Sequence, residues 1–167
     1  MLDFFHKSAT MTKKVTGVAK LKGAPVVHSR TPPHGVGKLR KIATFYNDKD
    51  AIKTVLLEVA DTPESRRTGL MGRKKLSPIC GMLFEGLSGG GYFWMKNCHI
   101  PLDVIFLDKQ HAITKLYTMS VDDGDEHYNY DAGDVAAIEL PEGFCKQWGL
   151  YRGGCTVEIR DIPGKDR

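Results

Sequence analysis

Residues 93–118 read FWMKNCHIPLDVIFLDKQHAITKLYT, and this stretch predicts the architecture of the chain more directly than any other. Two apolar and β-branched runs, Val104–Leu107 and Ile113–Thr118, flank the polar residues Asp108–His111. Short runs of this composition are typical of β-strands, and a four-residue polar connection between them is typical of a hairpin. The stretch therefore predicts two neighbouring antiparallel strands.

Similar strand-like segments continue on both sides of this hairpin. They lie at Ile42–Tyr46, Ile52–Ala60, Met82–Phe84, Tyr92–Met95, Val135–Leu140 and Thr156–Arg160. Too few helices separate them to supply the crossovers of a parallel sheet. The predicted fold class is therefore α+β and β-rich: a compact, mostly antiparallel sheet or barrel-like domain with one or two short helices and an extended N-terminal arm.

Two short helices are predicted from their end signals. Thr62 is a suitable N-cap, Pro63 suits the first helical position, and Gly72 is a suitable end for this helix. A second helix is predicted over Pro141–Gly149, which begins with proline and ends with glycine.

Charge is distributed unevenly along the 167 residues. Residues 1–50 carry ten Lys and Arg against three Asp, whereas residues 51–167 carry fourteen against seventeen Asp and Glu, so the net charge of +4 comes from the N-terminal part. Residues 1–41 also hold Gly and Pro at irregular intervals, which predicts an extended arm. We predict an arm over residues 1–41, a domain over residues 42–167, and a partner-binding set in the arm: Lys13, Lys14, Lys20, Lys22, Arg30, Lys38, Arg40 and Lys41.

Composition also bears on the cellular compartment. No apolar run approaches the roughly 18 residues that a membrane-spanning helix needs. The first residues include Asp3 and lack the apolar stretch of a secretory signal. The four cysteines, Cys80, Cys98, Cys145 and Cys155, match no metal or redox spacing. These features predict an intracellular protein with reduced thiols.

Four motifs resemble a known family in their order and spacing. They are Gly69–Arg73 (GLMGR), Gly81–Phe84 (GMLF), Phe93–Asp108 and Ile138–Gly143 (IELPEG). Over about residues 55–160 the chain is similar to domain-of-unknown-function family 192, formerly called an ancient conserved region. The resemblance implies a compact β-rich domain with one or two short helices, and it implies no activity. The basic arm lies outside it.

Polar side chains concentrate in the Trp94–Asp103 segment, where we predict a candidate ligand pocket. Trp94 would form its wall, and Lys96, Asn97 and Asp103 would be its polar contacts. His99 beside Asp103 would be a candidate general base. The alternative is structural: Asp103 and Asn97 satisfy backbone groups at a turn, and Lys96 is solvated.

Two further segments contain candidate site residues. Arg66 and Arg67 beside a helix start are candidates for binding an anion, against the alternative of an exposed helix face. Residues 121–134 are rich in Asp and Glu, but their register does not match a calcium loop, so a solvated loop is predicted. Common cofactor, metal and nucleophile motifs do not occur in the sequence, and none of these is predicted.

The favoured functional hypothesis is a non-enzymatic structural or interaction protein. Its basic arm would tether the β-rich domain to other protein subunits, or to copies of itself, in a larger assembly such as a viral capsid or tail. Non-specific nucleic-acid contact by the arm is a further hypothesis, because scattered Lys and Arg bind phosphates without reading sequence. The alternative function is a small-molecule-binding protein or enzyme that uses the Trp94–Asp103 pocket.

Overall fold

The computed structural model describes residues 39–48, 50–121 and 125–163. Nine strands and two short helices follow one another in these residues: β1 Lys41–Asn47, β2 Asp50–Ala60, α1 Pro63–Thr68, β3 Cys80–Glu85, β4 Gly91–Phe93, β5 Leu102–Leu107, β6 Ile113–Met119, β7 Tyr128–Tyr130, β8 Ala136–Pro141, α2 Phe144–Gln147 and β9 Cys155–Asp161. The β-rich α+β prediction is confirmed.

Seven of the strands form one sheet in the order β6-β5-β8-β3-β2-β1-β9, and β4 pairs with β7 in a two-stranded ribbon. All neighbouring pairs are antiparallel except β2 and β3, which are parallel because the segment containing α1 joins them as a crossover. The sheet is not a closed barrel. An isolated bridge joins Ala112, which precedes the edge strand β6, to Thr156 of the other edge strand, β9. The Val157 N–H donates nearby to the His111 carbonyl oxygen at 2.9 Å.

The predicted hairpin is present, and its second strand lies at one edge of the sheet. Asp108 Oδ1 accepts hydrogen bonds from the N–H groups of Gln110 and Ala112, both at 2.9 Å, which holds the turn between β5 and β6. All six residues of β5 are buried. Because successive side chains of a strand point to opposite faces, β5 contributes to an apolar cluster on each side of the sheet.

The first cluster lies on the side of α2 and includes Ile105, Leu107, Ile138 and Phe144. The second lies on the side of α1 and the β4–β7 ribbon and includes Met82, Phe84, Val104 and Phe106. Which cluster a side chain joins is therefore decided by whether its position along the strand is odd or even.

Both helices depart from their predicted ends. The N-cap Thr62 is confirmed, but α1 ends at Thr68, and the residue that follows it, Gly69 with a φ of 47°, lies three residues before the predicted end, Gly72. The second helix begins at Phe144, because Pro141 is the last residue of β8 and pairs with Leu102. Both helices are present, and only their predicted end residues are wrong. Local end signals define such boundaries poorly.

The acidic segment contains a strand that the sequence reading missed. Residues 122–124 lie outside the described residues, but Tyr128–Tyr130 forms β7 and pairs with β4. The prediction of a solvated loop over this part was wrong. The aromatic side chains of β7 pack on β4, a partner strand 35 to 39 residues earlier in the chain.

The last two residues of the predicted arm are bound into the sheet. The Arg40 N–H donates to the Leu57 carbonyl oxygen at 2.9 Å, and its guanidinium pairs with Asp61 at 2.7 Å. Lys41 is the first residue of β1 and pairs with Asp161 at 2.9 Å. The other predicted arm residues, namely Lys13, Lys14, Lys20, Lys22, Arg30 and Lys38, lie outside the described residues.

Candidate functional site

A cleft of about 220 Å³ opens on the α1 side of the sheet. One wall is the end of α1 and the turn after it, residues 66–71, and the opposite wall is formed by residues 92–94 and Tyr130 of the β4–β7 ribbon. Side chains of the sheet and the neighbouring loops complete it: Phe84, Leu87, Cys98 and Glu139.

The ribbon wall is aromatic. Phe93 packs edge-on against Phe84, with ring centroids 4.9 Å apart, and so joins the ribbon to the main sheet. Tyr92 lies edge-on to Trp94 at 6.2 Å and stacks on His127 at 3.8 Å. Rings in these orientations present both faces and edges, so the wall suits a flat or apolar group and also attracts cations to ring faces.

Glu139 is the buried polar group of the cleft. It lies in the middle of β8 and is 5% exposed, and its Oε2 has no hydrogen-bond partner within the described residues. Burial raises the pKa of this carboxyl to about 8, because the charged form loses its hydration without gaining a partner. At neutral pH the unliganded cleft therefore holds a mostly protonated carboxylic acid.

A second buried glutamate on the same sheet face, Glu58, has the charged hydrogen-bond partner that Glu139 lacks. The strand register aligns Glu58 of β2 with Met82 of β3, and Met82 with Glu139 of β8. Glu58 is 6% exposed, but its two oxygens accept hydrogen bonds from Arg73 at 2.9 and 2.7 Å. The bidentate pair compensates the burial of Glu58, and Glu139 lacks such a compensation.

The turn after α1 passes close over Glu139. A Cβ at Gly69 would lie 3.2 Å from the ring of Phe84 and 3.9 Å from Glu139 Oε2, and the φ of 47° also favours glycine. Glycine thus lets the backbone approach the floor of the cleft.

Two arginines of α1, Arg66 and Arg67, also line the cleft, and we call this pair its rim. The Arg66 Nη1 donates to the carbonyl oxygens of Asp61 at 3.0 Å and Glu85 at 2.9 Å, which holds its guanidinium in place. Arg67 is exposed. Among the described side chains, no carboxylate forms an ion pair with either arginine. The rim is therefore positive, although the charge of Asp61 also acts on Arg66. Glu139 lies at the buried end of the cleft, which is its base.

Cys98 is the thiol of the cleft. Burial raises its pKa to about 11, and the charge of Glu139 acts in the same direction. The thiol is therefore protonated at neutral pH and is a weak nucleophile. All four cysteines are free, and the other three are buried.

The structure separates the four residues of the predicted pocket. Trp94 lines the cleft, and Lys96 is exposed with its Nζ 5.0 Å from the centre of the Trp94 ring. Asn97 is exposed with a φ of 58°, and its carbonyl oxygen accepts a hydrogen bond from the Gly72 N–H at 2.9 Å. His99 is also exposed.

Asp103 lies on the other side of the sheet. Its Oδ1 accepts from the Thr118 hydroxyl and its Oδ2 from the Cys145 N–H, both at 2.8 Å. This carboxylate is fully buried and joins β6 to the start of α2, so its visible role is structural. Asp103 and Trp94 do not meet, because Asp103 follows Leu102 on the strand and so faces the α2 cluster.

Glu139, the central residue of the cleft, was not singled out from the sequence. Its signal is a glutamate inside the otherwise apolar run Val135–Leu140, at a position where a charge is costly. That signal does not tell a paired glutamate such as Glu58 from an unpaired one, since the partner comes from a distant part of the chain.

The acidic segment makes structural contacts. Asp134 is 1% exposed and accepts hydrogen bonds from the Thr114 hydroxyl at 2.6 Å and the Asp131 N–H at 2.7 Å. In the part of the chain that the structure describes, no three His, Cys, Asp or Glu side chains are grouped to hold a metal ion. None of the described helices is long and apolar enough to cross a membrane.

The fold and its cleft define a β-rich α+β domain built on an open seven-stranded sheet. Residues 44–159 match the model of domain-of-unknown-function family 192 (DUF192), described as an uncharacterized ACR. The chain belongs to this family, which confirms the resemblance of the four motifs.

Two solved structures share the fold. One, from Sinorhizobium meliloti 1021, is described as a "putative transcription regulator"; it is 24% identical, with a TM-score of 0.66 over 73% of this chain and 94% of that chain. The other, from Novosphingobium aromaticivorans DSM 12444, is described as a protein of unknown function; it is 26% identical, with a TM-score of 0.64 over 82% of this chain and 94% of that chain. No curated protein matches the chain.

Proposed function

We propose that this chain is a small-molecule-binding protein whose ligand occupies the cleft between α1 and the β4–β7 ribbon. The observation that carries the proposal is the buried Oε2 of Glu139, which has no hydrogen-bond partner among the described residues and lines an aromatic cleft. Buried polar groups nearly always have a hydrogen-bond partner, and leaving one without a partner costs free energy. A ligand that supplies the missing partner would account for this carboxyl.

The shape and lining of the cleft support the same function. Ligand sites are concave and mostly apolar, with a few polar groups that orient the ligand. Here Tyr92, Phe93 and Trp94 supply the apolar wall, Glu139 the inner polar group, and Arg66 and Arg67 the outer ones. The protonated thiol of Cys98 favours binding over thiol catalysis.

The test is a small-molecule screen by ligand-observed NMR with the 167-residue chain. Leu87 is half-buried in the cleft lining, so Leu87→Trp fills the cleft. Ile79→Trp is the matched control, because Ile79 is 49% exposed and does not line the cleft. We expect compounds that bind the unchanged chain and Ile79→Trp but not Leu87→Trp. If every compound that binds also binds Leu87→Trp, the cleft is not the ligand site.

A further inference from the structure

We propose that the ligand is a primary amine that also carries an acidic group, with its ammonium group on Glu139 and its acid at Arg66 and Arg67. This inference rests on the proposed function, because it assumes that the cleft is the ligand site. It specifies the chemical class of the ligand, a free aminoalkyl acid, from the order of charges along the cleft.

The Glu139 carboxylate lacks a cationic hydrogen-bond donor among the described side chains. An ionised carboxylate only accepts hydrogen bonds, and a primary ammonium group offers three donors and the opposite charge. No cation from the described part of the chain pairs with Glu139, whereas Arg73 pairs with the neighbouring Glu58. A ligand ammonium would give Glu139 the partner that Arg73 gives Glu58.

The aromatic wall suits both the ammonium group and the carbon chain of such a ligand. Ring faces attract cations, and the Lys96 Nζ already lies 5.0 Å from the centre of the Trp94 ring. The wall between base and rim also suits the methylene groups that would join the two charged ends of the ligand.

The rim suits the acidic group of the ligand. Arg66 is held by two carbonyl oxygens, and neither Arg66 nor Arg67 forms an ion pair with a described carboxylate. Two guanidinium groups at the entrance would repel a simple amine and attract a carboxylate or phosphate. Taken from base to rim, the charges match a zwitterion and not a plain cation.

The size of the cleft limits the ligand. A volume of about 220 Å³ accommodates on the order of ten non-hydrogen atoms, since a water molecule occupies roughly 30 Å³ in the liquid. Short aminoalkyl acids fall within this limit. The length that spans Glu139 and the arginines is then a measurable property of the site.

Protonation gives the inference a signature of its own. The free cleft holds a proton on Glu139, whose pKa burial raises to about 8, and an ammonium ligand binds the ionised form. Binding at pH 7 should therefore release close to one proton, and affinity should rise as pH rises towards about 8. A neutral ligand that accepts a hydrogen bond from the protonated acid would show the opposite dependence. The other charged or titratable groups that line the cleft or lie against its wall and base are Arg66, Arg67, Tyr92, Lys96, Cys98, Tyr130, His127, Glu58 and Arg73.

The experiment is titration calorimetry of the 167-residue chain with glycine, β-alanine, γ-aminobutyrate, ε-aminocaproate and phosphoethanolamine. Butylamine and butyrate are the controls that lack one charged end. Titrations at pH 7 in PIPES and in MOPS measure the proton released, because the two buffers differ in ionisation enthalpy and contain neither a primary amine nor a phosphate. A parallel series with His127→Gln tests whether the imidazole that stacks on Tyr92 contributes to the proton release.

We expect one chain length to bind best and both controls to bind at least about tenfold more weakly. Glu139→Gln keeps the shape of the side chain and should weaken binding about tenfold to a hundredfold and abolish proton release. Arg67→Gln should weaken binding about threefold, whereas Arg152→Gln, an exposed arginine outside the cleft, should not change it.

Three results would overturn the inference. They are equal binding of butylamine and γ-aminobutyrate, unchanged binding to Glu139→Gln, and no binding of any aminoalkyl acid. If the screen nevertheless yields ligands that Leu87→Trp excludes, the proposed function stands and only the ligand class is wrong. If no compound depends on the cleft, the proposed function itself fails.

Discussion

At the scale of single residues, two buried glutamates on one sheet face differ in whether they have a charged partner. Glu58 has the guanidinium of Arg73 at 2.7 Å, and Glu139 has an unpartnered oxygen. The same residue type at a similar depth is therefore stabilised in one place and costly in the other. Proteins tolerate such a cost mainly at functional positions, which is why Glu139 and not Asp103 marks the candidate site.

The cost of Glu139 should be visible in the pH dependence of stability. Its pKa is about 8 in the folded chain and near 4.5 in the unfolded chain, so the folded state holds the proton more tightly. The resulting stabilisation is complete below about pH 4.5 and is lost as pH rises through about pH 8.

We therefore expect Glu139→Gln, which does not titrate, to gain stability relative to the unchanged chain as pH rises. The relative gain between pH 5 and pH 8 should be about 3 kcal/mol, measured by urea unfolding at both values. Glu142→Gln is the control, because Glu142 is exposed. A difference between the two chains that stays constant with pH would show that Glu139 is not buried as described.

At the scale of elements, α1 is short, and its caps hold the rim of the cleft. The Thr62 hydroxyl accepts from the Ser65 N–H at 3.1 Å, and the Ser65 hydroxyl accepts from the Thr62 N–H at 2.9 Å. A helix of six residues has little stability of its own, so it depends on these bonds and on its neighbours.

Thr62→Ala should destabilise α1 by about 1 kcal/mol. Because the Arg66 N–H donates to the Thr62 carbonyl oxygen at 2.9 Å, its hydrogen exchange reports on this turn and should become faster. Thr62→Ser keeps the hydroxyl and should leave the exchange rate almost unchanged. Equal rates in Thr62→Ala and the unchanged chain would mean that packing alone holds the helix.

At the scale of the whole molecule, the question is where the folded domain begins. β1 lies between β2 and β9 in the sheet, and Arg40 is bound on both sides, through the Leu57 carbonyl oxygen and the Ile162 N–H. The hypothesis of a basic arm that joins a larger assembly rests mainly on residues outside the described ranges and stays a prediction.

Removing residues 1–38 should leave a chain that melts at the same temperature as the unchanged one, measured by circular dichroism. Removing residues 1–47 also removes β1 and should abolish the cooperative transition, since β2 and β9 would lose their shared neighbour. The assembly hypothesis has a separate test. The unchanged chain should form larger particles than the chain lacking residues 1–38, as measured by sedimentation velocity. Equal sedimentation of the two chains would contradict it.

Local sequence patterns were sufficient for most of the elements of this protein. Alternating or continuous apolar runs indicated eight of the nine strands within the described ranges, because burial of a strand face is visible in its own residues. The family was also accessible, since its motifs are contiguous stretches such as Gly69–Arg73. The short strand β7 was missed because its signal depends on pairing with β4, which is distant in sequence.

Which side chains meet in the cleft could not be predicted from local sequence patterns. Whether Asp103 faces the α2 cluster or the cleft depends on the register of β5 with β6 and β8. Whether a buried glutamate has a partner depends on where a distant side chain lies, as Arg73 does beside Glu58. Both are relations between segments far apart in the chain. A residue's own neighbours in sequence determine its element, but the charges around a buried carboxyl come from whichever strands the fold places beside it.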